Sequence, residues 1–289
     1  MRERLPVRDV FGVVAGWLDE GRTFGLATLV ELRGAATAPI GTTIAADAGG
    51  EVIGNVGAGC YESEIVEACR ASATDGRTRT VDNNLTSDDE VLGGTACGAT
   101  MQLVAWRPEP SFAEDARAIA AGEREVRLRL AYERADGSRA EFDHAFAPKE
   151  RLLVVGATAV AAELAMLAPR LDFNVVVIDP RPSYATRERI PDAFEIVRAW
   201  PDEYLPNALS ARTPIVVLSH DPKFDLPALR CALRSDAPYI GLLGSRRSQA
   251  ARRASLREEG FGDAALARIH GPVGLDLGGV TVAAARALR

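Results

Sequence analysis

The spacing of apolar positions changes character near residue 147, and that change divides the chain. Before it, helical and strand periods are mixed. Val10, Val13, Val14 and Trp17 recur at helical spacing, and Asp19-Glu20-Gly21 closes the helix they predict. Residues 24–32 read as a strand through Leu26, Thr28 and Val30. A loop at 34–41, with Pro39, precedes two short strands at 42–46 and 51–55, which Asp47-Ala48-Gly49-Gly50 joins as a hairpin. A helix at 61–73, a strand at 77–81, a short helix opening at Asp88-Asp89-Glu90 and an alternating strand at 100–106 follow. A second hairpin, 126–132 with 140–146, turns at Asp136-Gly137-Ser138. This pattern predicts an α+β domain.

Ala147-Pro148-Lys149-Glu150 marks the boundary, giving expected domains of 1–147 and 148–289. Beyond it, short β-rich runs at 151–155, 174–178, 196–198, 214–219 and 239–243 are mostly separated by helix-like stretches. Such alternation predicts α/β architecture: a C-terminal Rossmann-like, doubly wound parallel sheet beside the N-terminal α+β domain. Right-handed crossovers place every strand's carboxyl end on one edge, where ligands of such sheets bind.

Composition narrows the function classes. The 289 residues exceed the usual single-domain size, and 47% hydrophobic content supplies material for real cores. A net charge of −6 argues against a nucleic-acid partner. Cys60, Cys69, Cys97 and Cys231 form no CxxC pair, and His144, His220 and His270 are scattered, so no structural zinc site is expected. No apolar run reaches membrane-span length, and Met1-Arg2-Glu3-Arg4-Leu5-Pro6 lacks an apolar secretion core. A cytoplasmic protein with reduced thiols and no membrane partner is expected.

Two cysteines lie in glycine-rich turns, Gly57-Ala58-Gly59-Cys60-Tyr61-Glu62 and Gly93-Gly94-Thr95-Ala96-Cys97-Gly98-Ala99. Glycine permits tight turns and close approach of a ligand. Cys60 opens a predicted helix, whose positive end favours thiolate and anions. Glu62 is placed either to orient a ligand or to favour the helix's first turn. Cys69 and Cys231 sit on helix-like segments and read as small buried residues.

A nucleotide-type turn follows the strand at 151–155. Gly156 stands, but Thr158 occupies the place of the glycine that lets pyrophosphate approach, and Ala161 fills the tolerated third place. Asp179 lies near the spacing of a ribose-binding acid. The turn keeps the fold and weakens ordinary NAD(P) use. Later, Gly244-Ser245-Arg246-Arg247 ends a strand and opens a helix, with Ser245 as its N-cap. Arginines there oppose the dipole; a bound phosphate would reverse that, and pairing with surface acids is the alternative. His220 and His270 border the strand-end crevice as ligand-facing or merely structural residues. His144, in a hairpin, reads as structural.

Together these residues resemble the XdhC/CoxI family, accessory factors of molybdenum hydroxylases such as xanthine dehydrogenase. The resemblance rests on residues 27–30, Pro39-Ile40-Gly41, 57–62 and 94–98, and on the Rossmann half. Its most specific runs there are Ser219-His220-Asp221-Pro222-Lys223-Phe224-Asp225, 239–247 and Ile269-His270-Gly271-Pro272-Val273-Gly274-Leu275-Asp276. It implies a chaperone, rather than a catalyst, that binds the molybdenum cofactor as molybdopterin or its dinucleotide form, protects it, supports its sulfuration and delivers it. A molybdenum hydroxylase apoenzyme and a cysteine desulfurase are the implied partners, and a homodimer the implied assembly. Cys60 and Cys97 would carry sulfur or touch molybdenum through the bound cofactor. Gly57, Gly59, Glu62, Gly94, Gly98, Gly156, Asp179, Gly244, Ser245, Arg246, Arg247 and His270 are the candidate cofactor-binding residues. The chain departs from the family at Val56-Gly57-Ala58-Gly59 and at Thr158-Ala159, where Gly-His is usual. An NAD(P)-dependent oxidoreductase and a thiol-based sulfurtransferase using Cys60 remain alternatives.

Overall fold

The structure is a computed structural model that describes residues 7–34, 38–56, 62–84, 100–134 and 136–273. Residues 57–61 and 93–99 of the two cysteine turns, the Asp88-Asp89-Glu90 start of the expected short helix and the Gly274-Leu275-Asp276 run lie outside these residues. The chain divides into two compact units, Met1–Pro148 and Lys149–Arg289.

In the first unit, helix α1 (Val7–Asp19) leads into strands β1 (Phe24–Arg33), β2 (Thr43–Asp47) and β3 (Val52–Ile53). Helix α2 (Glu62–Asp75), strands β4 (Arg79–Asn84) and β5 (Thr100–Trp106), helix α3 (Phe112–Ala121) and the hairpin β6 (Val126–Glu133) and β7 (Arg139–Phe146) complete it. Five strands form an antiparallel sheet in the order β3-β2-β1-β5-β4. The sheet is covered on both faces, which explains why the central β1 is apolar almost continuously rather than alternately. Ala27 and Leu29 face a core with Ile65 and Cys69 of α2, while Phe24 and Leu26 face Phe11 and Val14 of α1, Ile119 of α3 and the inner side of β6-β7. The hairpin keeps strict alternation: Val126, Leu128, Leu130 and Tyr132 point inward, with exposed residues between. Thr28 is tolerated inside because it bonds both Thr43 (3.2 Å) and the Trp106 indole (3.1 Å).

Two elements differ from the pattern-based expectation. β3 stops at Ile53 because Gly54 turns the chain at φ +91°, with Thr43 O only 2.6 Å from where a Cβ would sit. Helix α3 was not foreseen; its apolar positions are largely alanines, a weak periodic signal.

The second unit contains β8 (Glu150–Val155), α4 (Ala159–Leu167), a 3₁₀ turn (Ala168–Leu171), β9 (Phe173–Ile178), β10 (Glu195–Val197) and α5 (Pro201–Ala208). It continues through β11 (Ile215–Val217), α6 (Pro222–Arg234), β12 (Ile240–Leu242), α7 (Arg246–Glu258), α8 (Asp263–Ala267) and β13 (Ile269–His270). Its sheet is wholly parallel, in the order β10-β9-β8-β11-β12-β13. Counted within this unit that is 3-2-1-4-5-6, the doubly wound Rossmann arrangement. Alternate residues of the Leu152–Val155 run enter opposite cores. Leu153 and Val155 pack with Leu205, Leu229 and Leu256 of α5, α6 and α7; Leu152 and Val154 pack with Ala161 and Ala165 of α4. The strand β13 was not foreseen, and no helix fills the connection from β9 to β10.

Gly25 sits beneath α2, where a Cβ would fall 2.1 Å from the Cys69 carbonyl oxygen. Backbone cannot yield there, so Gly25→Ala should cost about 1–3 kcal/mol in urea unfolding. Gly16, inside α1 with nothing within 4 Å of an added Cβ, should show no loss and up to about 1 kcal/mol gain as Gly16→Ala. Equal effects at the two positions would contradict this packing.

Candidate functional site

The carboxyl edge of the parallel sheet gathers most of the candidate residues of the second unit. At the turn after β8, Gly156 takes φ +105°, and a Cβ there would meet the Ser219 backbone at 2.8 Å. Both conformation and space therefore demand glycine. The turn's three amides are all spent within the protein: Gly156 N–H donates to Ile178 O (2.9 Å), Ala157 N–H to Asp179 Oδ2 (2.8 Å) and Thr158 N–H to Gly156 O (3.0 Å). Thr158 caps α4 through its hydroxyl, which accepts from Ala161 N–H at 3.2 Å. The side chain that breaks the glycine pattern thus serves the helix start.

Asp179, at the end of β9, is buried at 1% exposure. Besides Ala157 N–H, its carboxylate accepts from Arg181 N–H (3.0 Å), Nε (2.9 Å) and Nη2 (2.6 Å). Burial pushes this carboxyl up, but the Arg181 guanidinium and the two backbone amides outweigh it, and its pKa lies below the ordinary value. Its acceptor capacity is committed to the fold.

After β11, His220 adopts φ 61° and is exposed. Beneath it lies a buried ionic knot that single-sequence reasoning missed. Asp225 of α6, 0% exposed, accepts from the Ser219 hydroxyl and from Arg252 of α7, whose Nε and Nη2 lie 2.7 and 2.5 Å away. Burial raises the Asp225 pKa against the opposing pull of Ser219, Arg252 and His220. The knot ties the β11 turn to the helix that begins at Arg246. Only Asp225 and Arg252 falling on inward faces of α6 and α7 signalled it.

That helix starts as expected. Gly244 takes φ +137°, and the Ser245 hydroxyl accepts from Ser248 N–H at 3.2 Å. Its first turn holds no acid, and Arg246 and Arg247 are exposed without an ion pair among the described residues. At the other end, Glu259 is matched by Arg230 of α6 through two 2.6 Å bonds. Gln249, 4% exposed, donates to Leu242 O at 2.7 Å and packs against Gly271, where a Cβ would lie 2.3 Å from its Oε1. His270 is exposed and stacks on Tyr239 at 4.8 Å. In the first unit, Glu62 opens α2, Cys69 is buried with its thiol pushed up to about 12 by desolvation, and half-buried Cys231 of the second unit is likewise raised. Neither is poised as a nucleophile. His144 packs between Phe142 and Phe146. Gly57, Gly59, Cys60, Gly94, Cys97 and Gly98 lie outside the described residues. Among the described residues no group of acids, histidines and cysteines could hold a metal ion, and no helix is long and apolar enough to cross a membrane.

One cavity on the same edge was also missed. It holds about 280 Å³ and is lined by the Pro180–Tyr184 segment with Trp200, Lys223 and Phe224. Three of the chain's sparse aromatics following strand ends was the available signal.

A family model described as the XdhC Rossmann domain matches residues 152–285, and one described as the XdhC and CoxI family matches 17–83. Cys60 falls inside the second stretch and Cys97 outside both. The molybdenum cofactor insertion chaperone PaoD of Escherichia coli K12 is 26% identical over 276 residues, covering 89% of this chain and 78% of its own. A probable xanthine dehydrogenase component of Bacillus subtilis 168 is 34% identical over 99 residues, 34% of this chain and 30% of its own. The uncharacterized protein YqeB of E. coli K12 is 22% identical over 94% of this chain but 43% of its own, so the chain spans less than half of those last two relatives. A crystal structure titled a xanthine dehydrogenase from Bacillus halodurans superposes with TM-score 0.70 at 21% identity, covering 95% of this chain and 90% of that one, which shows a shared fold.

Two measurements probe this edge. Arg252→Ala strands a buried carboxylate and should cost about 3–5 kcal/mol, whereas Asp225→Leu with Arg252→Met should recover most of it. A double variant as unstable as the single one would refute the knot's ionic character. For Asp179, the folded pKa lies below the unfolded value of about 3.9. Its contribution is therefore present above that value and lost as pH falls through the folded pKa. Asp179→Asn should be less stable than the parent at pH about 7, with the gap closing as pH falls below about 3.9 and through the folded pKa, as read by urea midpoints. A constant gap across that range would contradict the assignment.

Proposed function

Because the chain belongs to the XdhC and CoxI family, we propose that it is a molybdenum-cofactor chaperone. In this reading it binds the cofactor, supports its sulfuration and inserts it into a molybdenum hydroxylase of the xanthine dehydrogenase type. Arg246 and Arg247 carry the reading structurally: two exposed guanidinium groups without an ionic partner among the described residues, at the capped start of a long helix on a ligand-binding edge. A phosphate at the cofactor's anionic end would suit the two guanidinium forks and the positive end of the helix dipole there. When bound, the cofactor brings the molybdenum centre on which the recipient hydroxylase depends. The knot of Ser219, Asp225 and Arg252 holds the helix start in place, and Ser245 fixes its first turn.

Likeness to PaoD along most of the chain supports the insertion role. Cys60 and Cys97, with their glycines and Glu62, are proposed as the residues that meet the cofactor's sulfur-bearing end. A cysteine desulfurase, the hydroxylase apoenzyme and a second copy of the chain are the proposed partners, in the cytoplasm. His270 and Gly244 complete the proposed phosphate side. The oxidoreductase reading has less support, since the turn amides and Asp179 that would greet a dinucleotide are already bonded within the protein. Cys60 as a sulfurtransferase nucleophile gains no support from a described residue.

Anaerobic titration with molybdopterin and its dinucleotide form tests the proposal. Micromolar binding is expected, weakened about tenfold or more by Arg246→Ala with Arg247→Ala and by added salt. Cys60→Ser or Cys97→Ser should reduce retention of the cofactor through gel filtration without reducing thermal stability. Absence of binding by the parent protein would overturn the chaperone reading; unchanged affinity in the arginine variant would overturn the phosphate assignment.

A further inference from the structure

The cavity beside β9 is furnished for a ligand of definite chemistry. Its walls come from the segment after β9, the N-cap of α5 at Trp200 and the first turn of α6 at Lys223 and Phe224. All three are on the carboxyl edge, where open parallel sheets bind ligands. At about 280 Å³ it suits one ring system with a short polar extension rather than an extended dinucleotide.

Its walls are aromatic and its charge is positive. Tyr184 is 42% exposed, Trp200 is half-buried, and Phe224, at 5%, forms a packed wall whose ring centroid lies 5.3 Å from that of Trp200. The Arg181 guanidinium lies 4.0 Å over Tyr184 and 5.1 Å over Phe224, and Arg189 lies 4.9 Å over Tyr184. Lys223 Nζ is 5.2 Å over Trp200 and 5.6 Å over Phe224, and makes no ion pair among the described residues. No carboxylate lines the cavity; of those that border it, Asp179 is matched by Arg181, Asp221 accepts from Lys223 N–H (2.9 Å) and Glu203 from Trp200 N–H (3.3 Å). The bidentate bond to Asp179 also fixes Arg181 before any ligand arrives, which lowers the ordering cost of binding.

These walls discriminate among guests. A quaternary ammonium would face resident cations, so an aromatic cage for a cation is disfavoured. An inorganic anion would leave the aromatic faces wet. A planar heteroaromatic ring can lie against the Trp200 indole and the Arg181 guanidinium plane that Tyr184 backs, and a phosphate attached to it would meet Lys223. A pyrophosphate bridging onward to the β8 turn would find its amides spent on Ile178, Asp179 and Gly156. We propose that the Arg181–Tyr184–Trp200–Lys223 cavity binds a nucleoside monophosphate group, base against Trp200 and the Tyr184-backed Arg181 guanidinium, and phosphate at Lys223. The group is either a free nucleotide or the nucleotide arm of a dinucleotide cofactor; only the latter source rests on the chaperone reading.

Tryptophan fluorescence of the full chain reads the site directly. Trp17 and Trp106 are 3% and 8% exposed in the other compact unit, leaving Trp200 as the responsive indole. AMP, GMP, CMP and UMP are titrated to about 1 mM, with ribose 5-phosphate and inorganic phosphate as controls. At least one nucleotide should quench saturably while both controls do not. Trp200→Ala should weaken binding at least about fivefold by equilibrium dialysis, and Lys223→Ala at least about threefold. Trp200→Phe should keep binding while abolishing the quench. Circular dichroism establishes that each variant folds. Displacement of the nucleotide by dinucleotide cofactor, but not by molybdopterin, assigns the cavity to the cofactor's arm; no displacement assigns it to a free nucleotide. No saturable binding of any nucleotide, or an equal response to ribose 5-phosphate, overturns the proposal. Cofactor binding without nucleotide binding would sink this site alone, and nucleotide binding without cofactor binding would sink the chaperone reading alone.

Discussion

The carboxyl edge of the parallel sheet is organised by one buried carboxylate. Asp179 joins the turn after β8 to the segment after β9 by accepting from Ala157 N–H and from three donors of Arg181. A buried charge is tolerable only when so fully bonded, and the bonding has two consequences. It removes an amide from the turn where a dinucleotide's phosphates would sit. It also sets the Arg181 guanidinium over Tyr184, at the wall of the neighbouring cavity. One interaction therefore disfavours one ligand class and shapes the place for another.

A second buried ion pair performs the matching task on the other side of the sheet order. Asp225 and Arg252 link α6 to α7 beneath Ser219, and Gln249 locks α7 to β12 and to Gly271. A helix whose first turn carries two arginines and no acid would be poorly matched to its dipole. The knot and the Ser245 cap hold it nonetheless, leaving Arg246 and Arg247 facing solvent. Local conflict of this kind is expected where a site, rather than stability, dictates the residue.

Much of the architecture was legible in the chain's periodicity. The run of four apolar residues from Leu152 reads as a strand covered on both faces, and it feeds two cores. The alternation of β6 gave its inward face directly. The Ser245 cap was also visible. Elements built on alanine, such as α3, and strands of two residues, such as β13, carry too little pattern to be seen. At the site, residue types were legible but their commitments were not. Asp179 had the spacing of a ribose ligand, yet its donors come from Ala157 and Arg181, a pairing that only the folded turn creates. Asp225 with Arg252, and Trp200 with Phe224, meet across 27 and 24 positions of sequence, beyond any local rule.

On the chaperone reading, this sheet edge receives a phosphorylated pterin cofactor rather than a redox dinucleotide. Native mass spectrometry of the full chain, purified anaerobically from cells making molybdenum cofactor, decides between the two. The expected spectrum shows an adduct whose released ligand is molybdopterin or its dinucleotide form. An adduct of intact NAD(P), or a chain that carries no pterin under those conditions, would refute the reading.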